Sequence, residues 1–251
     1  MADSRSTSGN GASRAVAAAA LPSVDQRRQL HRQSSGDQAS GYIRQLIFDG
    51  ELTAGAHVPQ DDIARDLGMS RIPIREALIA LERQGWVRIE RHRGAFVTGL
   101  DRAAIQDHYE LYGLIYGFAA RRAIERDDGQ LADRLGALVK MGREMTGEPA
   151  RFGEVALRFH SAVIHAARSP RIDVALRSLS ALVPGDFFTY VPGSVDIERK
   201  GLTKIQRAVK RGDADAAVAA YAGMMRPIGD LVVELFEQRG LFTNEDTSSS
   251  V

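Results

Sequence analysis

Between residues 60 and 98 the apolar positions change their period. Ile63 and Leu67 recur four apart within Asp62 to Leu67. From Ser70 to Gly85, Ile74, Ala77, Leu78 and Leu81 keep the three-and-four step of a helix with one buried stripe. Gly68 suits the left-handed residue that closes a helix, and Ser70 is placed to cap the next one. Pro73 falls in that helix's first turn, where no N–H is needed. After Gly85 the step drops to two. Trp86 to Glu90 and Ala95 to Thr98 read as strands, with Arg91-His92-Arg93-Gly94 as their turn.

Upstream, Asp37 is placed to cap a helix through about Asp49, with Tyr42, Ile43, Leu46 and Ile47 as its inner stripe. The loop that follows is punctuated by Gly50 and Gly55 and carries His57, expected to face solvent. Downstream of Leu100 only helical spacing remains. It runs through Ile105, Tyr109, Tyr112, Tyr116, Ala119 and Ala123, then Leu131, Leu135, Leu138 and Met141, then Phe152, Val155, Phe159 and Val163. A further helix spans Ile172 to Leu182 and ends at Pro184-Gly185. Asp186 to Gly201 reads as a loop or broken helix around Pro192-Gly193, and Leu202 to Lys210 as a short helix. Asp213 caps a last helix through Ala217, Tyr221, Met225, Leu231 and Leu235, which Pro227 is expected to kink or split.

The fold class is therefore mainly α. Residues 37–100 predict a winged helix-turn-helix, α+β with a small hairpin, and residues 101–242 an all-α antiparallel bundle of six to seven helices. Residues 1–36 and 243–251 lack a periodic apolar face and are expected to be disordered tails.

Charge sharpens this picture locally rather than globally. The formal net charge is only +1, so attraction to nucleic acid must come from a patch. From Arg71 to Arg93 there are six Arg against Glu76, Glu82 and Glu90. Arg71 and Arg75 are four apart and share a face at the start of the second helix, the end that enters a major groove. An Arg fork matches the two acceptors on a guanine edge. Arg91, His92 and Arg93 would sit at the wing tip, in reach of phosphate or the minor groove. The plainer alternative is a solvated helix face and a polar hairpin. Cysteine is absent, which excludes disulfides, thiolate metal sites and cysteine nucleophiles. No apolar run approaches the ~20 residues of a membrane span, and the short alanine run near residue 18 makes a poor secretion signal.

The string Leu67-Gly-Met-Ser-Arg-Ile-Pro-Ile-Arg-Glu-Ala-Leu78, followed by Leu81, Gly85 and the later Arg93-Gly-Ala-Phe-Val97, resembles the signature of GntR-family transcriptional regulators. The resemblance places Ser70, Arg71, Pro73 and Arg75 on recognition-helix positions that contact operator DNA, and Gly94 on the wing tip. It departs at Asp61, where many members carry a basic residue. The bundle resembles the FCD effector domain of the family's FadR branch, through Phe159-His160 and the block Ile205-x-x-Ala208-Val209-x-x-Gly212-Asp213. Such domains imply a divalent metal whose ligands would fall on Ala156, His160, Leu202 and Met224, where three of four cannot coordinate. The expectation is therefore no metal and no cofactor.

Tyr112 and Tyr116, where related domains often carry Arg and Glu, complete a pocket expected to be apolar with a few hydroxyls and one imidazole. The implied protein is a cytoplasmic, homodimeric repressor that binds a palindromic operator in double-stranded DNA and responds to a small lipophilic effector. One alternative is a constitutive regulator whose bundle only dimerises, its pocket residues filling a dry core. An enzyme built on His160 would lack a partner acid, base or metal. His165 is not at metal-pair spacing from His160, and His108 is expected at the surface.

Overall fold

The computed structural model describes residues 34–126, 129–179 and 182–242. Residues 1–33 and 243–251, read above as tails, lie outside that set. Ser35 and Gly36, also read as tail, already belong to α1 (Ser35–Phe48). Asp37 therefore lies inside the first turn instead of capping it.

The winged domain continues with α2 (Gln60–Asp66), α3 (Arg71–Arg83), β1 (Val87–Glu90) and β2 (Gly94–Val97). Gly68 and Gly85 take positive φ at the ends of α2 and α3. The strands pair antiparallel, Val87 opposite Val97 and Glu90 opposite Gly94. The loop before α2 adds a third edge along β2: Val58 N–H donates to Ala95 O at 2.8 Å, and Val97 N–H to Ala56 O at 2.9 Å. Ile43, Ile63, Ile74, Leu81, Trp86 and Val97 close one core between the helices and the sheet.

Seven helices follow among the described residues: α4 (Arg102–Arg126), α5 (Leu131–Glu144), α6 (Pro149–Ala166), α7 (Pro170–Ser178), α8 (Phe187–Tyr190), α9 (Ser194–Lys210) and α10 (Ala214–Gln238). α4 and α10 form the spine. A Cβ on Gly113 or Gly117 would sit 3.3 Å from the α10 backbone, so glycine sets how closely the two helices approach. This contact lies on both sides of Pro227, since Gly229 packs on Tyr109 beyond it. α10 accordingly runs unbroken through Pro227, against the expected split. Asp213 caps it as expected, accepting from Ala216 N–H at 2.9 Å. α10 is long and apolar enough to cross a membrane, but its apolar face is packed inside the bundle against α4 and α9.

Residues 186–201 form a broken helix around Pro192-Gly193, one of the two expected forms: α8 and the first half of α9 flank the break. Gly193, at φ 86°, turns the chain into α9, and the inner positions there are Ser194 and Glu198, so no apolar period announced the helix. α7 stops at Ser178, short of Leu182, because Leu179 turns extended.

The two halves meet at Phe48, the last residue of α1. Its ring takes edge contacts from Tyr190 at 5.8 Å and Phe236 at 5.9 Å, and the Arg239 guanidinium lies 4.0 Å above it.

Candidate nucleic-acid interface and bundle centre

The first turn of α3 is bare. Ser70, Arg71, Ile72 and Arg75 are exposed, while Ile74, Ala77 and Leu78 turn inward and fix the helix's rotation. Pro73, half-buried, holds the first turn without needing its missing donor. Ser70 has the extended backbone of a capping residue, yet its hydroxyl makes no capping bond. Arg71 and Arg75 share the face that the spacing placed them on, but their states differ. Arg71 is gripped by Asp61 of α2, Nε to Oδ1 at 2.7 Å and Nη2 to Oδ2 at 2.8 Å. Among the described residues Arg75 has no ion-pair partner. Ile72, between them, is 68% exposed and was not singled out by sequence reasoning. Its signal was there: an apolar residue in a first turn whose stripe begins only at Ile74.

The wing is built around Phe96. Arg88 and Arg93 approach its ring at 5.2 and 5.4 Å, both pair with Glu90, and the His57 ring meets Phe96 edge-on at 5.3 Å. Gly94 is required here: its φ is 98°, and a Cβ would lie 2.5 Å from His57 Nε2. His57 is solvent-exposed, as expected, but also wedges the base of the wing. Arg93 is thus anchored and partly neutralised, whereas Arg91 and His92 stand at the tip, His92 at φ 61°. A groove of about 520 Å³ runs between α3 and the wing, lined by Arg75, Ile79, Ile89, Arg91 and His92.

In the bundle, His160 of α6 is buried and bonded at both nitrogens. Nε2 lies 2.6 Å from Glu198 Oε1 of α9, and Nδ1 lies 3.2 Å from the Tyr221 hydroxyl of α10. Burial raises the Tyr221 hydroxyl well above the ordinary tyrosine value, so it stays protonated and donates to Nδ1. With Tyr221 donating to Nδ1, it is Nε2–H that donates to the Glu198 carboxylate. Tyr116 stacks on Tyr221 at 5.4 Å and on Tyr112 at 5.9 Å, and its ring lies 4.8 Å from His160. Tyr112 donates to Leu179 O at 2.6 Å, and burial pushes its hydroxyl up to about 12. His108 is half-buried rather than fully at the surface. It packs 4.9 Å from Tyr112, its Nε2 is buried without a hydrogen-bond partner, and burial lowers its pKa to about 4.

Glu198 and Tyr221, the two groups bonded to His160, escaped sequence reasoning as pocket residues. They stand four and three residues before Leu202 and Met224, the positions named from the resemblance. Leu202 and Met224 are buried, with Met224 seated against Gly201, where a Cβ would lie 2.6 Å from its Cγ. Ala156, one turn before His160, is buried and offers no donor. The expectation that His160 lacks a partner acid is therefore corrected: Glu198 is that acid, in a segment read as a loop or broken helix.

This donor set does not fit the divalent metal that the resemblance implies. Zinc bonds of about 2.0–2.2 Å on both sides would hold an imidazole nitrogen and a carboxylate oxygen roughly 3 Å or more apart. Here they touch at 2.6 Å. The third group is a phenol held protonated, and no cluster of three or more His, Cys, Asp or Glu side chains stands close enough to hold an ion among the described residues.

Comparison with known proteins agrees with both halves. Residues 36–97 match the bacterial regulatory proteins of the gntR family, and residues 107–226 match the FCD domain. An uncharacterized HTH-type transcriptional regulator of Mycobacterium tuberculosis (strain H37Rv) is 32% identical over 210 residues, covering 83% of this chain and 86% of that protein. A probable D-xylose utilization operon transcriptional repressor of Paenarthrobacter nicotinovorans is 28% identical, over 77% of this chain and 90% of that one. The gluconate operon transcriptional repressor of Bacillus subtilis is 28% identical over 61% of this chain and 64% of its own. Among solved structures, E. coli McbR/YncC superposes with a TM-score of 0.55 at 18% identity, over 82% of this chain and 98% of its own, a likeness of fold.

Proposed function

The chain belongs to the GntR family of DNA-binding transcriptional regulators, with an FCD domain behind the winged reader, and on that premise we propose that it is a cytoplasmic repressor that binds a palindromic operator as a homodimer and is released by a small effector. The observation that carries the DNA reading is the bare first turn of α3, with Arg71, Ile72 and Arg75 outward and a basic wing tip across a groove. Arg71 and Arg75 read guanine edges, and Ile72 meets a thymine methyl. Arg91 and His92 contact the backbone, with Arg93 buttressed behind them. Ser70, Pro73 and Gly94 shape the two ends. One reader spans only a half-site, so a twofold pair is needed for a palindrome. The gluconate and xylose operon repressors among the relatives support the repressor sign.

The effector reading rests on the bundle centre, where Tyr112, Tyr116, Ala156, His160, Leu202 and Met224 are joined by Glu198 and Tyr221. It takes no metal, since His160 is already engaged at both nitrogens. The ligand is a neutral apolar or aromatic molecule with one hydrogen-bonding head, stacking in the tyrosine column; a carboxylate there would face Glu198. Tyr221 and Phe236 are fifteen residues apart on α10, about 22 Å along the helix. A ligand that parts Tyr221 from His160 therefore displaces the helix that bears on Phe48. It does so only if it favours the displaced arrangement.

One observation favours a second reading, a constitutive regulator whose bundle serves as a dimerisation module: Tyr116 stands stacked between Tyr112 and Tyr221, filling part of that centre. A thermal-shift panel of neutral aromatic and acyl compounds, followed by operator release, separates the two. A rise in Tm with DNA release supports the effector. No rise with any compound leaves the constitutive regulator. Elemental analysis is expected to find far less than one tightly held ion per chain.

A further inference from the structure

The reader and the bundle do not close on each other completely. A cleft of about 550 Å³ lies between them, beside the Phe48 contact. The reader lines it with Phe48, Leu52 and Trp86, and the bundle with Phe236, Leu241 and Phe242. Gly99 and Leu100, which link β2 to α4, run along it, and Leu100 pairs with Phe242 in an isolated parallel bridge. The cleft shares no lining residue with the bundle centre. Tyr221 stands fifteen residues before Phe236, about 22 Å along α10. Clefts of this size, largely apolar and set at a domain junction, are where small ligands bind.

We propose that this cleft is a second ligand site, and that it takes an amphipathic monoanion, with an apolar or aromatic body against the Phe and Trp rings and one acidic head at Arg88. Arg88 is the only charged side chain among the described lining residues. It pairs with Glu90, but Glu90 also serves Arg93, so two guanidiniums share one carboxylate and the group keeps an excess positive charge. Arg88 is more than half exposed, and such a solvated pair yields to an incoming head at little cost. The acids around the cleft do not oppose the anion. Asp49 and Glu237 are taken up by Arg239 and Arg102, and Asp101 accepts from Ala104 N–H at 2.6 Å. Glu51 is exposed and lies outside the lining. Thr53 and Thr98, exposed in the lining, add two hydroxyls that can bond the same head. A dianion or a polyphosphate would find no second cation among these residues. The body touches both halves, so occupancy favours the one placement of reader on bundle that keeps the cleft at this size.

The test uses the full chain. Its single tryptophan, Trp86, lines the cleft, so occupancy has a signal of its own. The probe is a bromine-terminated undecanoate, whose bromine quenches indole fluorescence on contact. Saturable quenching is expected, reversed by plain undecanoate. The matching bromo-alcohol, which cannot form a charged hydrogen bond, is expected to bind at least about tenfold more weakly. Arg88→Gln is expected to abolish that preference for acid over alcohol while both still quench, with unchanged circular dichroism because the side chain is exposed. The absence of quenching, quenching that rises without saturating, or a preference for the acid that survives Arg88→Gln would each overturn the proposal. Occupancy of the bundle centre by an unbrominated compound leaves Trp86 unquenched, so the two sites report separately.

Discussion

Arg71 and Asp61 form a two-pronged ion pair, so the first guanidinium of α3 is held by the helix in front of it. Both side chains are largely exposed, and such a pair contributes only about 0–1 kcal/mol. Opening it for a guanine edge therefore costs little. Asp61, the acidic residue at a position often basic in the resemblance, acts as a rest for Arg71 rather than as a phosphate contact. Asp61→Asn removes a negative charge beside the DNA and frees the fork. The expected result is tighter binding to operator and to random duplex alike, with a smaller ratio between them, read by fluorescence anisotropy.

The wing divides its cations. Arg91→Ala should reduce the slope of log affinity against log salt by about one, the loss of one phosphate contact. Arg93→Ala should change the slope less, because Glu90 already offsets that charge, while weakening binding through the lost support under Phe96. Salt titrations of both variants check the order.

Glu198 tests the bundle centre. Removing one partner of a buried, hydrogen-bonded pair typically costs about 3–5 kcal/mol. Glu198→Ala should therefore lower Tm sharply, Glu198→Gln less because its amide oxygen still accepts from Nε2–H. Tyr221→Phe should cost about 1 kcal/mol, the scale of one hydrogen bond. Denaturant melts of the three variants should rank them in that order.

His108 gives a pH dependence with a fixed sign. Burial lowers its folded-state pKa to about 4, against about 6.5 for an ordinary imidazole. Between those values the unfolded chain binds the extra proton, so stability rises with pH across the window and is lost as pH falls from about 6.5 towards 4. The loss is on the order of 2 kcal/mol after allowing for partial exposure. His108→Phe should shrink the difference in Tm between pH 7 and pH 5.

What was legible in the sequence followed the physics of each segment. The reader was legible because its turn glycines, its Ile74-to-Leu81 stripe and its basic hairpin each point to the same fold. The first half of α9 was less legible than Leu202 to Lys210, because its inner face opens with Ser194 and Glu198, polar residues of which Glu198 is buried through pairing with His160. Glu198 and Tyr221, which bond His160, stand four and three residues before Leu202 and Met224, the buried apolar positions named from the sequence. The split that Pro227 could impose does not occur, since packing along α4 holds α10 together through it. The Arg71–Asp61 clasp joins residues ten apart on two helices and has no signature in either one's period.

The measurement that bears most directly on the reader is selection of bound fragments from a random duplex library by the wild-type chain, followed by affinity of the selected sequence for Arg71→Ala and Arg75→Ala. The account predicts one palindromic consensus, a loss of roughly 1–3 kcal/mol for each variant on that sequence, and little change on unrelated DNA. No enriched sequence, or both variants binding it as wild type does, would contradict it.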